Sequence, residues 1–332
     1  MLPRRGLLSR TDMDNQKIQE TLRKQYDALS ALDDEGVDKM VRQTEEFMGG
    51  IARLLLEQAG LGPATTASFD LVDHACGTGP IAARLQETIQ PDVLRQSRIF
   101  CADVNQAFID ILTKRARKLD WINVETKVLD AQDSGMAAGL FDYMTLNFAL
   151  HIIPEPEAVL RGNLPLISSR QSDELIGNSE ACRILRPGGT LAFSVVHADT
   201  GIAGGWVPDL RSTLETLPFR TPLPSPVQMA VHGKPEWVDP EGIKKALSAH
   251  GFVDILVTTI STPQHVKSPE EFATKFSMMF KWIMDTYWTE EQIAEYQAGF
   301  RDRVIKHLTE KHGNSGWDLQ GTAILATAKT PQ

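Results

Sequence analysis

The sequence predicts an α/β fold, a mostly parallel sheet covered by helices on both faces. Two observations carry that reading. From residue 69 to 196, apolar runs of strand length alternate with segments of helical periodicity, the pattern of parallel strands joined by helical crossovers. A glycine turn, Asp73-His74-Ala75-Cys76-Gly77-Thr78-Gly79-Pro80, links the first of those strands to the first helix. Strand, glycine turn and helix N-terminus together bring backbone N–H groups against a ligand. Glycine serves there because a side chain would hold the ligand away or forbid the turn.

The elements follow in order. Residues 1–13 read as a disordered start: MLPRRGLLSR is basic and apolar but short, and Asp12 and Asp14 follow at once. Met13 is an equally good initiator, and a transit peptide is the alternative reading. Residues 14–62 read as an N-terminal helical cap. Val41, Phe47, Met48, Ile51, Leu54, Leu55 and Ala59 recur at helical spacing, and Gly60-Leu61-Gly62-Pro63 supplies the stop. The core spans 63–197, with strands at 69–74, 98–103, 123–129, 141–147 and 190–196. Helices occupy 79–90 and 105–118, and another leads into Leu185. Residues 198–237, rich in Pro and Gly and carrying Trp206 and Trp237, read as an irregular insertion. In 238–330, Asp239-Pro240 is an N-cap followed by proline at the first helical position. That helix runs to His250-Gly251, before strands at Phe252 to Ile260 and Thr322 to Thr327. A helical insertion, 268–312, separates the two strands and contains a capping-box pattern from Thr289 to Gln292. Both insertions are expected to project near the ligand edge of the sheet as a substrate lid.

One stretch breaks the pattern. Residues 162–179, GNLPLISSRQSDELIGNS, interrupt what reads as one helix. Removing them joins Ala158-Val159-Leu160-Arg161 to Glu180-Ala181-Cys182-Arg183-Ile184-Leu185 with apolar pairs at helical spacing. The segment is either a surface loop or a retained intron, since Gly162-Asn163 can be encoded with a GTAA donor site.

Composition bounds the function. The 332 residues are 42% hydrophobic, enough for a sizeable core in one domain with insertions. A net charge of −9 argues against the basic face that nucleic acid would need. No apolar run approaches the ~20 residues of a membrane helix. Cys76, Cys101 and Cys182 are scattered without paired metal spacing, so no metal site is expected, and reduced thiols suit a cytoplasmic protein. These residues set no oligomeric state.

The chemistry-bearing positions lie at strand ends. Gly77, Gly79 and Ala82 also fit the dinucleotide pattern G-x-G-x-x-A, so the turn by itself admits a nicotinamide cofactor. Asp103 ends the second strand, where a carboxylate can accept hydrogen bonds from both hydroxyls of a ribose. Leu129-Asp130-Ala131 closes the third, where a carboxylate can meet an adenine amino group while Ala131 leaves room. Leu185-Arg186-Pro187-Gly188-Gly189-Thr190 makes a sharp turn into the fifth.

Taken in order, Asp73-x-Ala75-Cys76-Gly77-Thr78-Gly79, Asp103, Asp130-Ala131, Phe141-Asp142-Tyr143 and Arg186-Pro187-Gly188-Gly189 resemble the motifs of class I S-adenosylmethionine-dependent methyltransferases. Ala75 departs from the family, which usually has its first glycine there. The flanks, Trp121 to Lys127 and Phe280 to Glu291, resemble fungal methyltransferases of secondary metabolism, a group that includes enzymes methylating the thiols of gliotoxin-type dithiol metabolites. The resemblance implies a Rossmann-like, seven-stranded, mostly parallel sheet with an antiparallel last strand. It implies methyl transfer from S-adenosyl-L-methionine to a small-molecule acceptor through S, N or O.

The resemblance also implies roles. Gly77 and Gly79, with Ala75 in the same turn, would lie against the methionine part of the cofactor. Asp73 would contact its amino group directly or through water, Asp103 its ribose, and Val104 its adenine face. Asp130 and Ala131 would read the adenine edge, and Asn147 would face the methionyl portion. A sulfonium methyl is already electrophilic, so the protein must align the acceptor, exclude water and remove a proton. His151 is the leading base candidate and His197 the second; His74 reads as structural and Cys76 as a buried small residue. Tyr26, Thr44 and Glu45 belong to helices that cover the cofactor in this family. Met278, Met279, Phe280, Trp282 and Trp288 form an apolar set suited to an acceptor pocket or to packing between helices. Two other readings stand beside methyl transfer: an NAD(P)-dependent oxidoreductase, and a non-catalytic binding protein on the same scaffold.

Overall fold

The computed structural model describes residues 20, 24, 28–160, 180–197, 205–224, 230 and 232–332. The expectations for 1–13, Tyr26 and the 162–179 insertion, and part of that for 198–237, lie outside the described residues.

Helix α1 (Asp34–Thr44) begins at Asp33, whose carboxylate accepts from the Gly36 N–H at 2.8 Å. A π-helical turn (Glu45–Gly49) leads into α2 (Gly50–Gln58), which buries Ile51, Ala52, Leu55 and Leu56. Then the alternation starts: β1 (Asp70–His74), α3 (Pro80–Thr88), α4 (Pro91–Gln96), β2 (Arg98–Asp103), α5 (Gln106–Lys118), β3 (Val124–Val128) and β4 (Phe141–Asn147). Helices α6 (Pro156–Leu160) and α7 (Glu180–Ile184) flank the 162–179 segment, and their Val159, Leu160, Ala181 and Ile184 all enter one fully buried cluster. The remaining elements are β5 (Leu185–Val196), α8 (Val207–Leu214), α9 (Pro240–Ala249), β6 (Val253–Val266), α10 (Pro269–Lys275), α11 (Ser277–Tyr287), α12 (Glu290–His312) and β7 (Trp317–Lys329).

Among the described residues seven strands form one sheet, in the order β3-β2-β1-β4-β5-β7-β6. β1 to β5 pair in parallel. β7 runs the other way: the Gly188 N–H donates to Pro331 O at 3.1 Å and the Thr330 N–H to Gly189 O at 2.9 Å, so numbering falls along β7 as it rises along β5. The antiparallel last strand is as expected. The core gathers Phe141, Met144, Leu146, Leu191 and Phe193 from the sheet with Trp237, Ile243 and Leu247 from the segment around α9. Each such side chain contributes roughly 1.5–3 kcal/mol on burial.

Arg186 closes the far end of the sheet. Its guanidinium reaches Asp70 Oδ2 at 2.6 Å and Asp142 Oδ1 at 2.5 Å, and Asp142 Oδ2 accepts from the Asp70 N–H at 2.8 Å. Two of the ordered motifs, around Asp142 and Arg186, are thus a clasp setting the register of β1, β4 and β5. Asp239 caps α9 by accepting from the Gly242 N–H at 2.7 Å, and the Thr289 capping box opens α12, both as expected.

The structure departs from the sequence reading in three places. β5 starts at Leu185 rather than 190, because the Arg186 to Gly189 turn pairs with the end of β7. β6 and β7 run well past their expected ends, with Ser261 Oγ donating to Gln320 Oε1 at 2.9 Å and His265 Nδ1 2.8 Å from Asp318 Oδ1. The insertion read as irregular contains α8, with Pro208 in its first turn.

The chain divides into two compact units. One holds Tyr26–Val195, Glu236–Ile260 and Ala323–Gln332, and so contains the sheet core, α1 and α2; the other gathers Val196–Pro235 and Ser261–Thr322. Within the second unit, Phe280 and Trp288 each meet Phe300 edge-on, at 5.8 and 5.3 Å between ring centres, and Phe219 meets Trp288 at 5.3 Å. Phe280 and Trp288, two of the residues singled out in the sequence, are therefore engaged in aromatic packing within this unit. No described helix is long and apolar enough to cross a membrane.

Candidate functional site: the carboxyl ends of the parallel strands

The order of strands places a switch point between β1 and β4, where a parallel α/β sheet opens a crevice at its carboxyl edge. The glycine turn emerges there. Cys76 N–H donates to Ala102 O at 3.0 Å and Gly79 N–H to Cys76 O at 2.9 Å, which folds the turn onto the end of β2. Ala75, Gly77 and Gly79 take φ of 51°, 53° and 86°. Ala75 holds left-handed backbone at a cost of about 1 kcal/mol that glycine would avoid, so the chain tolerates its departure. A Cβ on Gly77 would meet nothing within 4 Å, whereas one on Gly79 would lie 2.7 Å from Leu112 Cδ1. Gly79 is required by packing; Gly77 faces open space.

Asp103 braces the turn from β2. Its Oδ2 accepts from the Gly77 N–H and its Oδ1 from the Asn105 N–H, both at 2.9 Å. Burial raises its pKa, opposed by these backbone donors. Each oxygen retains a further lone pair for a hydroxyl donor. Val104 beside it is 69% exposed, an apolar surface left open next to that carboxylate. Asp130 is exposed and folds back on its own loop, with Oδ1 accepting from the Gln132 N–H at 2.8 Å, while Ala131 is buried.

At this edge, Asp73 and Asn147 each bury a side chain with one polar atom that has no hydrogen-bond partner among the described residues. Asp73, 1% exposed, accepts from Thr145 Oγ1 at 2.7 Å through Oδ1, and its Oδ2 is unpaired. Burial pushes this carboxyl up to about 7, with the Thr145 hydrogen bond opposing and the nearby Asp103 charge adding to the rise. Asn147, 8% exposed, accepts from Ser194 Oγ at 2.7 Å through Oδ1, and its Nδ2 is unpaired. Thr78 Oγ1 in the turn is also buried and unpaired. Buried polar groups are nearly always satisfied, so such vacancies at a sheet's ligand edge point to a ligand that completes them.

His151 follows β4, 7% exposed, with the Phe148 ring edge-on to its imidazole at 5.8 Å. Phe148 itself takes φ 56° and contacts Phe47 of the π-helical turn at 5.6 Å. The second base candidate, His197, falls in the other unit, where its N–H donates to Thr322 O at 3.3 Å. His74 is fully buried within β1. Burial, then the neighbouring Cys101, pushes the Cys76 thiol well up, which makes it a poor nucleophile. No group of three or more potential metal ligands occurs among the described residues.

A model of the family described as "Methyltransferase domain" matches residues 66–220, a span containing the glycine turn, Asp103, Asp130, Asn147 and Ser194. Methyltransferase tpcH of Aspergillus fumigatus is 25% identical over 84% of this chain and 91% of its own length. Acetylaranotin bis-thiomethyltransferase of Aspergillus terreus is 23% identical over 86% of this chain and 92% of its own length. Among solved structures, the Haemonchus contortus phosphoethanolamine N-methyltransferase 2 in complex with S-adenosyl-L-methionine shares the fold. Its TM-score is 0.52 at 15% identity, over 98% of this chain and 61% of that one. These likenesses, to methyltransferases of fungi among others, support methyl transfer as the activity; an oxidoreductase reading of the glycine turn is not favoured.

One group beside the glycine turn was underrated by the sequence. Glu45, an ordinary helix-surface residue by pattern, accepts from Arg84 Nη2 at 2.9 Å and from Arg115 Nη2 at 2.6 Å. Arg115 also donates to Thr78 O at 2.9 Å and lies over the Trp121 ring at 4.9 Å. The N-terminal helical segment is thereby tied to the glycine turn.

Proposed function

We propose that this methyltransferase takes S-adenosyl-L-methionine as donor and methylates a small-molecule acceptor, with a thiol-bearing metabolite the first class to test. The observation that carries the donor is the pair of vacant buried atoms, Asp73 Oδ2 and Asn147 Nδ2, either side of the switch point. An acceptor and a donor left open together suit the ammonium and carboxylate of an amino-acid moiety. The residues present fit the rest of the group. Gly77 leaves open space, Asp103 has free lone pairs, Val104 offers an exposed apolar face and Ala131 occupies little room. The relatives' names support the acceptor class, since one is a bis-thiomethyltransferase.

The donor supplies an electrophilic methyl on sulfonium, so this chain's residues have three tasks. Asp73 holds the ammonium: a carboxyl pushed up to about 7 is drawn into its ionised form by the cation it binds. Asp103 holds the ribose hydroxyls while its backbone contacts keep the turn closed. His151 is the base that accepts the acceptor's proton, needed because a thiol of pKa ~8.5 is mostly protonated at pH 7. The three free cysteines support a reducing compartment, the cytoplasm, as the place of reaction.

Calorimetry with S-adenosylhomocysteine and with NADH tests the donor; heat with NADH alone would overturn the reading. A screen of dithiols, phenols and amines for methyl incorporation tests the acceptor. Binding without turnover on any of them would favour the non-catalytic alternative. In His151→Ala, turnover should fall with donor affinity unchanged; full turnover would remove His151 from the role.

A further inference from the structure

We propose that Ser194, on β5, is a positioning residue of the methyl-donor site. It fixes the side-chain amide of Asn147 so that nitrogen, not oxygen, is presented to the ligand. The proposal rests on the donor reading above. β4 and β5 pair with Asn147 opposite Ser194, and Ser194 is fully buried. Its hydroxyl has one proton and two lone pairs. The Phe148 N–H donates to Ser194 Oγ at 2.9 Å, occupying a lone pair, and donates also to Ser194 O at 3.0 Å. The hydroxyl donates its own proton to Asn147 Oδ1, at 2.7 Å. With the amide oxygen engaged, Nδ2 is left as the open donor.

The same device recurs one strand over. Thr145 Oγ1 on β4 donates to Asp73 Oδ1 at 2.7 Å and leaves Oδ2 open. Two buried hydroxyls thus set two ligand-facing groups of opposite hydrogen-bonding sense. Ser194 does a second task with the same oxygen. By accepting from the Phe148 N–H it helps hold that residue at φ 56°, a conformation that a bulky side chain rarely adopts, where the chain turns from Asn147 toward His151.

The test is a double-mutant cycle read by calorimetry with S-adenosylhomocysteine. Ser194→Ala and Asn147→Ala should each weaken binding about tenfold, the scale of one lost hydrogen bond to a charged group. If Ser194 acts through Asn147, the double variant should bind no more weakly than Asn147→Ala alone. Asn147→Asp retains an oxygen for Ser194 to donate to, yet presents a second oxygen to the ligand; it should lose at least as much affinity as Asn147→Ala. Multiplied losses in the double variant, wild-type affinity in Ser194→Ala, or unimpaired binding by Asn147→Asp would each overturn the proposal. Should Ser194→Ala not fold, Asn147→Asp decides it. A wild-type protein that fails to bind S-adenosylhomocysteine would instead overturn the donor reading itself.

Discussion

Two buried aspartates, one in each unit, show how structure separates a side chain that holds a fold together from one that awaits a ligand. Asp209, in the second unit, is 4% exposed and has both oxygens occupied. Its Oδ1 accepts from Lys311 Nζ at 2.8 Å and His312 Nε2 at 2.9 Å, and its Oδ2 from Trp317 Nε1 at 2.9 Å. The imidazole of His312 stacks on the Trp317 ring at 4.4 Å, so the donors are themselves packed. Burial pushes Asp209 up, but the hydrogen bonds and charges of Lys311 and His312 together outweigh it and hold the carboxyl below its usual range. Asp73, equally buried in the sheet core, has a single hydroxyl donor and stands at about 7. Burial is common to both; what differs is the number of donors the fold supplies.

The largest expected effect breaks the satisfied side of the comparison. Asp209→Ala strands a lysine, a histidine and an indole N–H around one cavity. It should cost about 2–3 kcal/mol in urea unfolding, toward the low end for a broken buried pair because Lys311 is 38% exposed. A loss below about 0.5 kcal/mol would show that water replaces the aspartate without penalty.

On the other side the effects should appear in binding. Asp103→Ala removes the acceptor of the Gly77 and Asn105 N–H groups along with the proposed ribose contact. Affinity for S-adenosylhomocysteine should fall about 30-fold, roughly 2 kcal/mol; unchanged affinity would remove Asp103 from the site.

Asp73 sharpens the comparison through pH. A carboxyl of pKa about 7 in the folded protein and ~3.9 unfolded holds its proton in the folded state between those values. The stability it contributes is thus fully present below about pH 4 and is lost as pH rises toward 7. Donor affinity should move the opposite way, rising through pH 7 as the carboxylate forms. Asp73→Asn should flatten both curves and weaken binding at pH 8 about tenfold. A mutant that keeps the wild-type pH dependence of affinity would show that another group titrates.

The smallest effect concerns the two glycines of the turn. Gly77→Ala should cost about 1 kcal/mol of stability from its φ of 53° alone, because its methyl enters open space, yet it should impair donor binding. Gly79→Ala should destabilise more, through contact with Leu112, by thermal unfolding. Equal destabilisation with binding intact in Gly77→Ala would mean that the space beside Gly77 is not used.

Much of this was legible in the chain. The strand–turn–helix context of Asp73 to Pro80, the N-cap at Asp239 and the capping box at Thr289 are signals of a few residues, and each was realised. The long β6–β7 ribbon was not legible, because Pro263 reads as a strand terminator and is tolerated only because β6 is an edge strand. Helix α8 was hidden by the Pro and Gly content around it. The pairing of Glu45 with Arg115 and the contact of Ser194 with Asn147 were not legible for a shared reason: the partners lie 70 and 47 residues apart, and no local pattern marks them.

The sequence by itself determined the alternation of strands and helices, the glycine turn and the polar residues at strand ends, because periodicity, turn chemistry and capping act over a few neighbouring residues. Only the tertiary structure decided which of those polar groups are satisfied. That Asp209 is fully paired while Asp73 and Asn147 each keep an open atom depends on register between strands and helices distant in the chain. Burial makes every such pairing, or its lack, costly enough to matter.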